Sequence, residues 1–316
     1  MTALRQSLAD YLSLRRALGY KLQRPEKLLN QFLDFLDARS VSTITTELAL
    51  AWACESRAGG PNWWAHRVSV VRGFASHVHA GDATAVVPPR DLLPCGPRRA
   101  TPYLYVDADV TALINAANGL RTPLRRATYR TLVGLLAVTG MRIGEAIGLD
   151  RHDFDARAGV LLIRHAKFDK TRELPLHPTT VAVLRGYLAC VDRERGTSST
   201  ASTNNTKGTT ALFVSTNGTR LLYCNVQWTF QRLTREAGLV PRTGRCRPRI
   251  HDLRHAFAVN TLLDACRLGC EAQWLTLLPT YLGHVDSAAT YWYLSAAPEL
   301  LASAAERLEQ HREGRT

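Results

Sequence analysis

Four short stretches of the 316-residue chain gather side chains able to hold an anion and move protons. In His251-Asp252-Leu253-Arg254-His255, His251 and Arg254 stand three apart, so a helix opening there projects a guanidinium fork and an imidazole from one face. Thr139-Gly140-Met141-Arg142-Ile143-Gly144-Glu145 sets an arginine just after an apolar run and a glycine break, at a helix start where backbone N–H groups also favour negative charge. Lys167 sits in HAKFDKTRELPLH, in a turn between two strand-forming runs, and Lys170 competes with it there. Leu282-Gly283-His284 ends a helix with a glycine and a second imidazole, and ATYWYLS follows. Tyr293 stands nine residues past His284, with Tyr291 two residues before it. Singly each stretch is commonplace; their company gives them meaning.

The elements that must carry these residues are mostly helical. Leu4, Leu8, Tyr11, Leu12 and Leu14 to Leu18 recur at helical spacing as far as Gly19. Pro25 opens a second helix with Leu28, Leu29, Phe32, Phe35 and Leu36 on its apolar face. Thr45 or Thr46 caps a third, which carries Trp52. After Gly59-Gly60-Pro61 a fourth holds Trp63, Trp64, Val68, Val71, Phe74 and Val78, with Arg67 and Arg72 off the stripe; the tryptophans read as core. This defines a helical domain over 1–87. Residues 88–102 hold Pro88, Pro89, Pro94, Pro97 and Pro102 with Arg90, Arg98 and Arg99, and read as a basic, proline-stiffened linker.

Over 103–316, helices are expected from a cap at Asp107 or Asp109 to Ala117, from Arg125 to Val138 and from Arg142 to Leu149. Gly159 to Arg164 and Thr171 to Leu176 form a β-hairpin beside Phe154. Glu194 to Thr210, rich in Ser, Thr, Asn and Gly, reads as a flexible surface insertion. Helices near 225–237, 252–268, 271–282 and 298–310 finish the chain. The fold class is mainly α, of the α+β kind, with one small antiparallel sheet.

Composition narrows the function classes. Forty Lys and Arg against 27 Asp and Glu leave +13, divided as +5 over residues 1–100 and +8 over the remainder, so the excess is no basic tail. Such a body suits nucleic acid or an anionic surface, or serves solubility alone. The longest apolar run, Leu132 to Val138, is far short of a membrane span, and the N-terminus alternates apolar and charged residues, unlike a signal peptide. Seven cysteines, none in a CxxC, fit reduced thiols; Cys266 and Cys270 lack the further ligands of a zinc site.

The ordered set TGMRIGEAIGL, HAKFDKTRELPLH, HDLRH and YLGHVDSAATYWYL resembles the tyrosine recombinase (phage integrase) family. The resemblance runs from about residue 103 to the end, and the helical first domain with its linker resembles that family's SAM-like core-binding domain. It implies a DNA breaking-rejoining catalytic domain and catalytic roles for Arg142, Lys167, His251, Arg254, His284 and Tyr293, with Tyr293 as nucleophile and Glu145 supporting Arg142. A phenol of pKa ~10 is a weak nucleophile at neutral pH and needs cations or a base beside it. Two converging guanidinium groups can clamp the non-bridging oxygens as charge builds there. A lysine on a short turn can give the leaving 5′-oxygen its proton, His251 suits proton transfer, and His284 a hydrogen bond to the phosphate. No metal and no cofactor is called for.

The same resemblance implies double-stranded DNA as partner, held in a two-domain clamp, and a homo-tetramer on synapsed DNA with the last helix exchanged in trans. Other recombinases of the same element are candidate partners, and a bacterial cytoplasmic, nucleoid-associated location is expected, with no membrane. Arg242, Arg245, Arg247 and Arg249, with no acid among them, read as an approach to the phosphate backbone, as do Arg98 and Arg99 of the linker. His255, one residue past the shared face, reads as structural. The chain starts on the core-binding helices, which suggests action at core sites alone, and SLRRALGYKL resembles some transposon-associated members. Two other readings share these residues. One is a type IB topoisomerase, relaxing supercoils on one strand; the other is a DNA-binding regulator on a recombinase scaffold.

Overall fold

The computed structural model describes residues 3–55, 59–94, 101–164, 171–198, 209–244 and 246–283. The chain divides into two compact units, Met1–Ala100 and Thr101–Thr316.

The first unit is built from α1 (Ala3–Ala17), α2 (Gln23–Asp37), α3 (Thr46–Glu55) and α4 (Pro61–His79). Leu4, Leu8 and Leu12, four apart, bury one stripe of α1, and Phe32, Leu29 and Leu36 bury the facing stripe of α2. Trp52 is enclosed, its ring edge-on to Phe32 at 5.2 Å. Arg67, expected off the apolar stripe, is instead buried, its guanidinium 3.7 Å over the Trp52 ring. A long stem and a flat cation let arginine cover an indole where a lysine would stand away from it. The proline-rich segment, expected to be a spacer, starts on this unit. Arg72 donates to the carbonyls of Pro88 and Pro89 at 2.9 and 2.7 Å, and Pro88 is buried. At its other end Pro102 is buried in the second unit, where its carbonyl accepts from the Cys246 thiol. Residues 95–100, with Arg98 and Arg99, lie outside the described residues.

The second unit is mostly helical with one three-stranded sheet. Its elements are α5 (Asp107–Ala116), α6 (Pro123–Thr139), α7 (Ile143–Gly148), β1 (Phe154–Asp155), β2 (Val160–Ile163), β3 (Arg172–Pro175), α8 (Pro178–Ser198), α9 (Tyr223–Glu236), α10 (Asp252–Arg267) and α11 (Glu271–Leu282). Helix α6 is central, packing on α5, α8 and α10 through Leu132, Val133, Leu135 and Leu136. It starts two residues ahead of expectation because Thr122 accepts from the Arg125 N–H at 3.2 Å and Pro123 fits the first helical position. At α5 the cap is inverted. Val106 holds the cap position, and Asp109 reaches back to its N–H at 3.2 Å.

The sheet is antiparallel in the order β1-β2-β3, pairing Phe154 with Leu161, Leu161 with Leu174 and Ile163 with Arg172. Leu161, Ile163 and Leu174 bury its inner face. The expected insertion at 194–210 is shorter than its composition suggests, since α8 continues to Ser198. No described helix is long and apolar enough to cross a membrane. The expected last helix, 298–310, lies outside the described residues.

Candidate active site

Two helix ends build the site. Helix α6 stops at Gly140 and α11 at Gly283, both in the left-handed region at φ 59° and 67°. The last carbonyls of a helix lack intrahelical partners and carry its negative end. Here arginines take them. Arg254, on the first turn of α10 and 2% exposed, donates to the Gly140 carbonyl at 2.9 Å and to the Leu282 carbonyl at 2.8 Å. Arg142, the cap residue of α7, donates to the next carbonyl, that of Gly283, at 3.1 Å. Consecutive carbonyls of one helix end therefore bring both predicted arginines together. Gly140 has a second reason to be glycine, since a Cβ there would sit 2.4 Å from the Phe257 ring.

Glu145 ties Arg142 down. One carboxylate oxygen accepts from the Arg142 guanidinium at 2.8 Å and the other from the Arg142 backbone N–H at 2.9 Å. A third guanidinium, that of Arg172 on β3, reaches the same carboxylate at 2.8 and 3.2 Å and donates to the Tyr281 carbonyl at 3.1 Å. Burial pushes the Glu145 carboxyl up, but Arg172 first, then the Arg142 N–H and the guanidinium charges outweigh it and hold the group below the usual carboxylate value. Three guanidinium groups thus converge with one carboxylate, which leaves the group two positive charges in excess.

Arg172 is not among the residues singled out from the sequence. The signal was present in β3, where side chains alternate faces, so Arg172 shares the inward face with buried Leu174 while Glu173 and Pro175 turn out. An arginine on the inward face of a strand needs a partner.

His251 caps α10 beside these cations, exposed on the wall of an open cleft of about 590 Å³ shared with Arg142, Glu145 and Arg164. Crowding by the protein, then the charges of Arg254, Arg142 and Arg249, lower its imidazole pKa below the ordinary histidine value. Because the residue remains exposed, the cations are the durable part of that effect, and the neutral ring predominates at neutral pH. His255 is half-buried and meets the His251 ring edge-on at 5.1 Å.

The arginines before His251 fare unequally. Arg249 is no bare cation. Its fork grips the fully buried Asp252 at 2.9 and 3.0 Å, an acid just beyond the stretch in which none was counted. Asp252 also accepts from the Tyr103 N–H, and burial pushes its carboxyl up against the pull of Arg249. Arg242 is exposed, donates to the Leu104 carbonyl at 3.0 Å and lies 4.8 Å over the Tyr103 ring, while Arg247 is exposed. Arg245, Lys167, Lys170, His284, Tyr291 and Tyr293 lie outside the described residues.

Among the described residues one cluster has metal-ligand composition, Asp150, His152 and Asp153. Thr210 and Arg220 bind Asp150, and Arg164 pairs with Asp153 at 2.7 Å, so two guanidinium groups already neutralise the carboxylates.

The family model described as the phage integrase family matches residues 106–299, more than half of the chain. The chain belongs to the phage integrase family. A protein of Sinorhizobium fredii named as an integrase/recombinase is 43% identical over the whole length of both chains. The tyrosine recombinase XerD of Mycobacterium tuberculosis is 31% identical over 72% of this chain and 65% of its own. Two solved structures share the fold. The XerH site-specific recombinase bound to a palindromic difH substrate superposes with a TM-score of 0.61 at 19% identity, over 90% of this chain and 78% of that one. The Tn1549 transposon integrase in complex with transposon right-end DNA superposes at 0.59 and 16% identity, over 98% and 100%. This integrase-family chain is accordingly a tyrosine-type site-specific DNA recombinase, and neither the topoisomerase nor the purely regulatory reading is favoured.

Proposed function

We propose that this recombinase cleaves and rejoins duplex DNA through a 3′-phosphotyrosyl intermediate, for integration, excision or transposition. In this reading Arg142 and Arg254 bind the non-bridging oxygens of the scissile phosphate. The Tyr293 oxygen forms a bond to phosphorus as the bond to the 5′-oxygen breaks, and Lys167 gives that oxygen its proton. His251 relays a proton and His284 donates to the phosphate. The free 5′-hydroxyl then attacks the phosphotyrosyl bond of a partner strand, restoring the phenol, so the phosphodiester energy is conserved. The observation that carries this reading is the surplus of positive charge at the joined ends of α6 and α11, where buried backbone carbonyls hold two guanidinium groups in place and reduce the reorganisation needed in the transition state.

Further parts of the reading rest on family membership and on the +13 charge. The first unit is a core-binding domain, the partner is double-stranded DNA, and the working assembly is a tetramer on synapsed sites with the C-terminal segment of one protomer seated on the next. The protein acts on a bacterial mobile element in the cytoplasm, at the nucleoid.

The test is a nicked duplex carrying a site selected by this protein from a random pool, so that the short fragment bearing the freed 5′-hydroxyl diffuses away and the adduct is trapped. Wild type accumulates a covalent protein–DNA species, and Tyr293→Phe binds the duplex without forming it. An adduct persisting in Tyr293→Phe would remove Tyr293 from the mechanism.

A further inference from the structure

Arg172 has no place in the mechanism above, yet it is among the most heavily committed cations near the site. Its side chain is 14% exposed and that of Glu145 7%. Three of its donors are spoken for: two by the Glu145 carboxylate and one by the Tyr281 carbonyl. The guanidinium also fills the space a side chain at Gly283 would need, since a Cβ there would lie 2.8 Å from Arg172 Nη1.

The partners matter more than the number of bonds. Glu145 is the group that grips Arg142 by both side chain and backbone. Tyr281 immediately precedes Leu282 and Gly283, whose carbonyls hold Arg254 and Arg142. One guanidinium thus braces the carboxylate that orients one arginine and the helix end that holds both. It also stands five residues after Lys167, while the helix end it braces stands ten residues before Tyr293.

We propose that Arg172 is a positioning residue for strand cleavage: by bracing Glu145 and the C-terminal end of α11 it presets Arg142, and it ties β3, which follows Lys167 in sequence, to the helix end that precedes Tyr293. A carboxylate shared between two arginines cannot swing to follow one of them, because leaving the second would strand a buried cation. Arg172 touches no reacting atom. Its effect falls on the orientation of Arg142 toward the phosphate, where a displacement of about 1 Å costs roughly 100-fold in rate.

The inference rests on the recombinase reading of Arg142, and the test separates the two. Single-turnover covalent attachment to the selected nicked duplex is measured at saturating protein, with the DNA Kd alongside, for Arg172→Ala and Arg172→Lys in the wild-type and Arg142→Lys backgrounds. In the wild-type background Arg172→Ala slows attachment roughly 10-fold to 100-fold with Kd unchanged, and Arg172→Lys, which keeps the charge but not the fork, recovers part of the rate. In the Arg142→Lys background, where the fork to be oriented is gone, removing Arg172 costs less than about 3-fold, since residues acting through one another are not additive. A structural role alone would slow both backgrounds equally. That result, or a wild-type rate for Arg172→Ala, overturns the proposal. If Arg172→Ala does not fold, Arg172→Lys in the two backgrounds carries the same comparison. Failure of wild type itself to form an adduct would instead sink the recombinase reading of the site.

Discussion

At the scale of single residues, charge alone does not say what an arginine is for. Arg142, Arg172 and Arg254 converge beside one carboxylate, whereas Arg249, equally basic in sequence, is held by a fully buried aspartate. Arg249→Ala therefore leaves Asp252 enclosed without its main partner. The cost is roughly 2–3 kcal/mol, below the full figure for a broken buried pair because Arg249 is partly hydrated. Thermal denaturation should show that loss, while the salt dependence of DNA affinity stays nearly unchanged; a wild-type melting temperature with a shallower salt slope would make Arg249 a phosphate contact after all. His251 gives a pH prediction. Its pKa is lowered, so the neutral imidazole persists further into acid than an ordinary histidine, and attachment should decline only as pH falls through a value below about 6.5. A rate already falling above pH 7 would contradict this. The spacing in HDLRH puts His251 and Arg254 on one face, and Arg142 in TGMRIGE was singled out by the family resemblance. Arg172 stayed hidden because its importance comes from partners 27 and 109 residues away, which no local pattern encodes.

At the scale of elements, helix boundaries were largely legible because caps and breakers are local. Gly19, Pro61 and Gly140 mark ends in sequence and in structure. The misses at Arg67 and the linker prolines come from tertiary contacts, and the others are local. Helix α8 runs through a stretch whose composition reads as loop, Arg67 lies on Trp52 inside a core, and the linker prolines are drawn onto the first unit by Arg72. The use of two helix ends as arginine cradles was likewise unreadable, though both glycines were visible. Gly283→Ala tests that cradle. The added Cβ must adopt a left-handed conformation, costing about 1–2 kcal/mol, or roughly 2–8 °C in a unit of this size. It also displaces Arg172, so covalent attachment should fall by more than the stability loss explains, with DNA affinity retained. Undiminished cleavage in Gly283→Ala would show that the cradle need not be this tight.

For the whole molecule, the +13 charge is shared by two compact units. The excess is spread over both, so the logarithm of DNA affinity should fall linearly with the logarithm of salt concentration, by about 0.9 for each phosphate neutralised. A flat response would return the charge to solubility. Whether this arginine-rich site serves a tyrosine nucleophile is decided by peptide mapping of the trapped adduct. Digestion of the covalent species and mass spectrometry should find the nucleotide on Tyr293. An adduct on Tyr291, or on any other residue, would contradict the account.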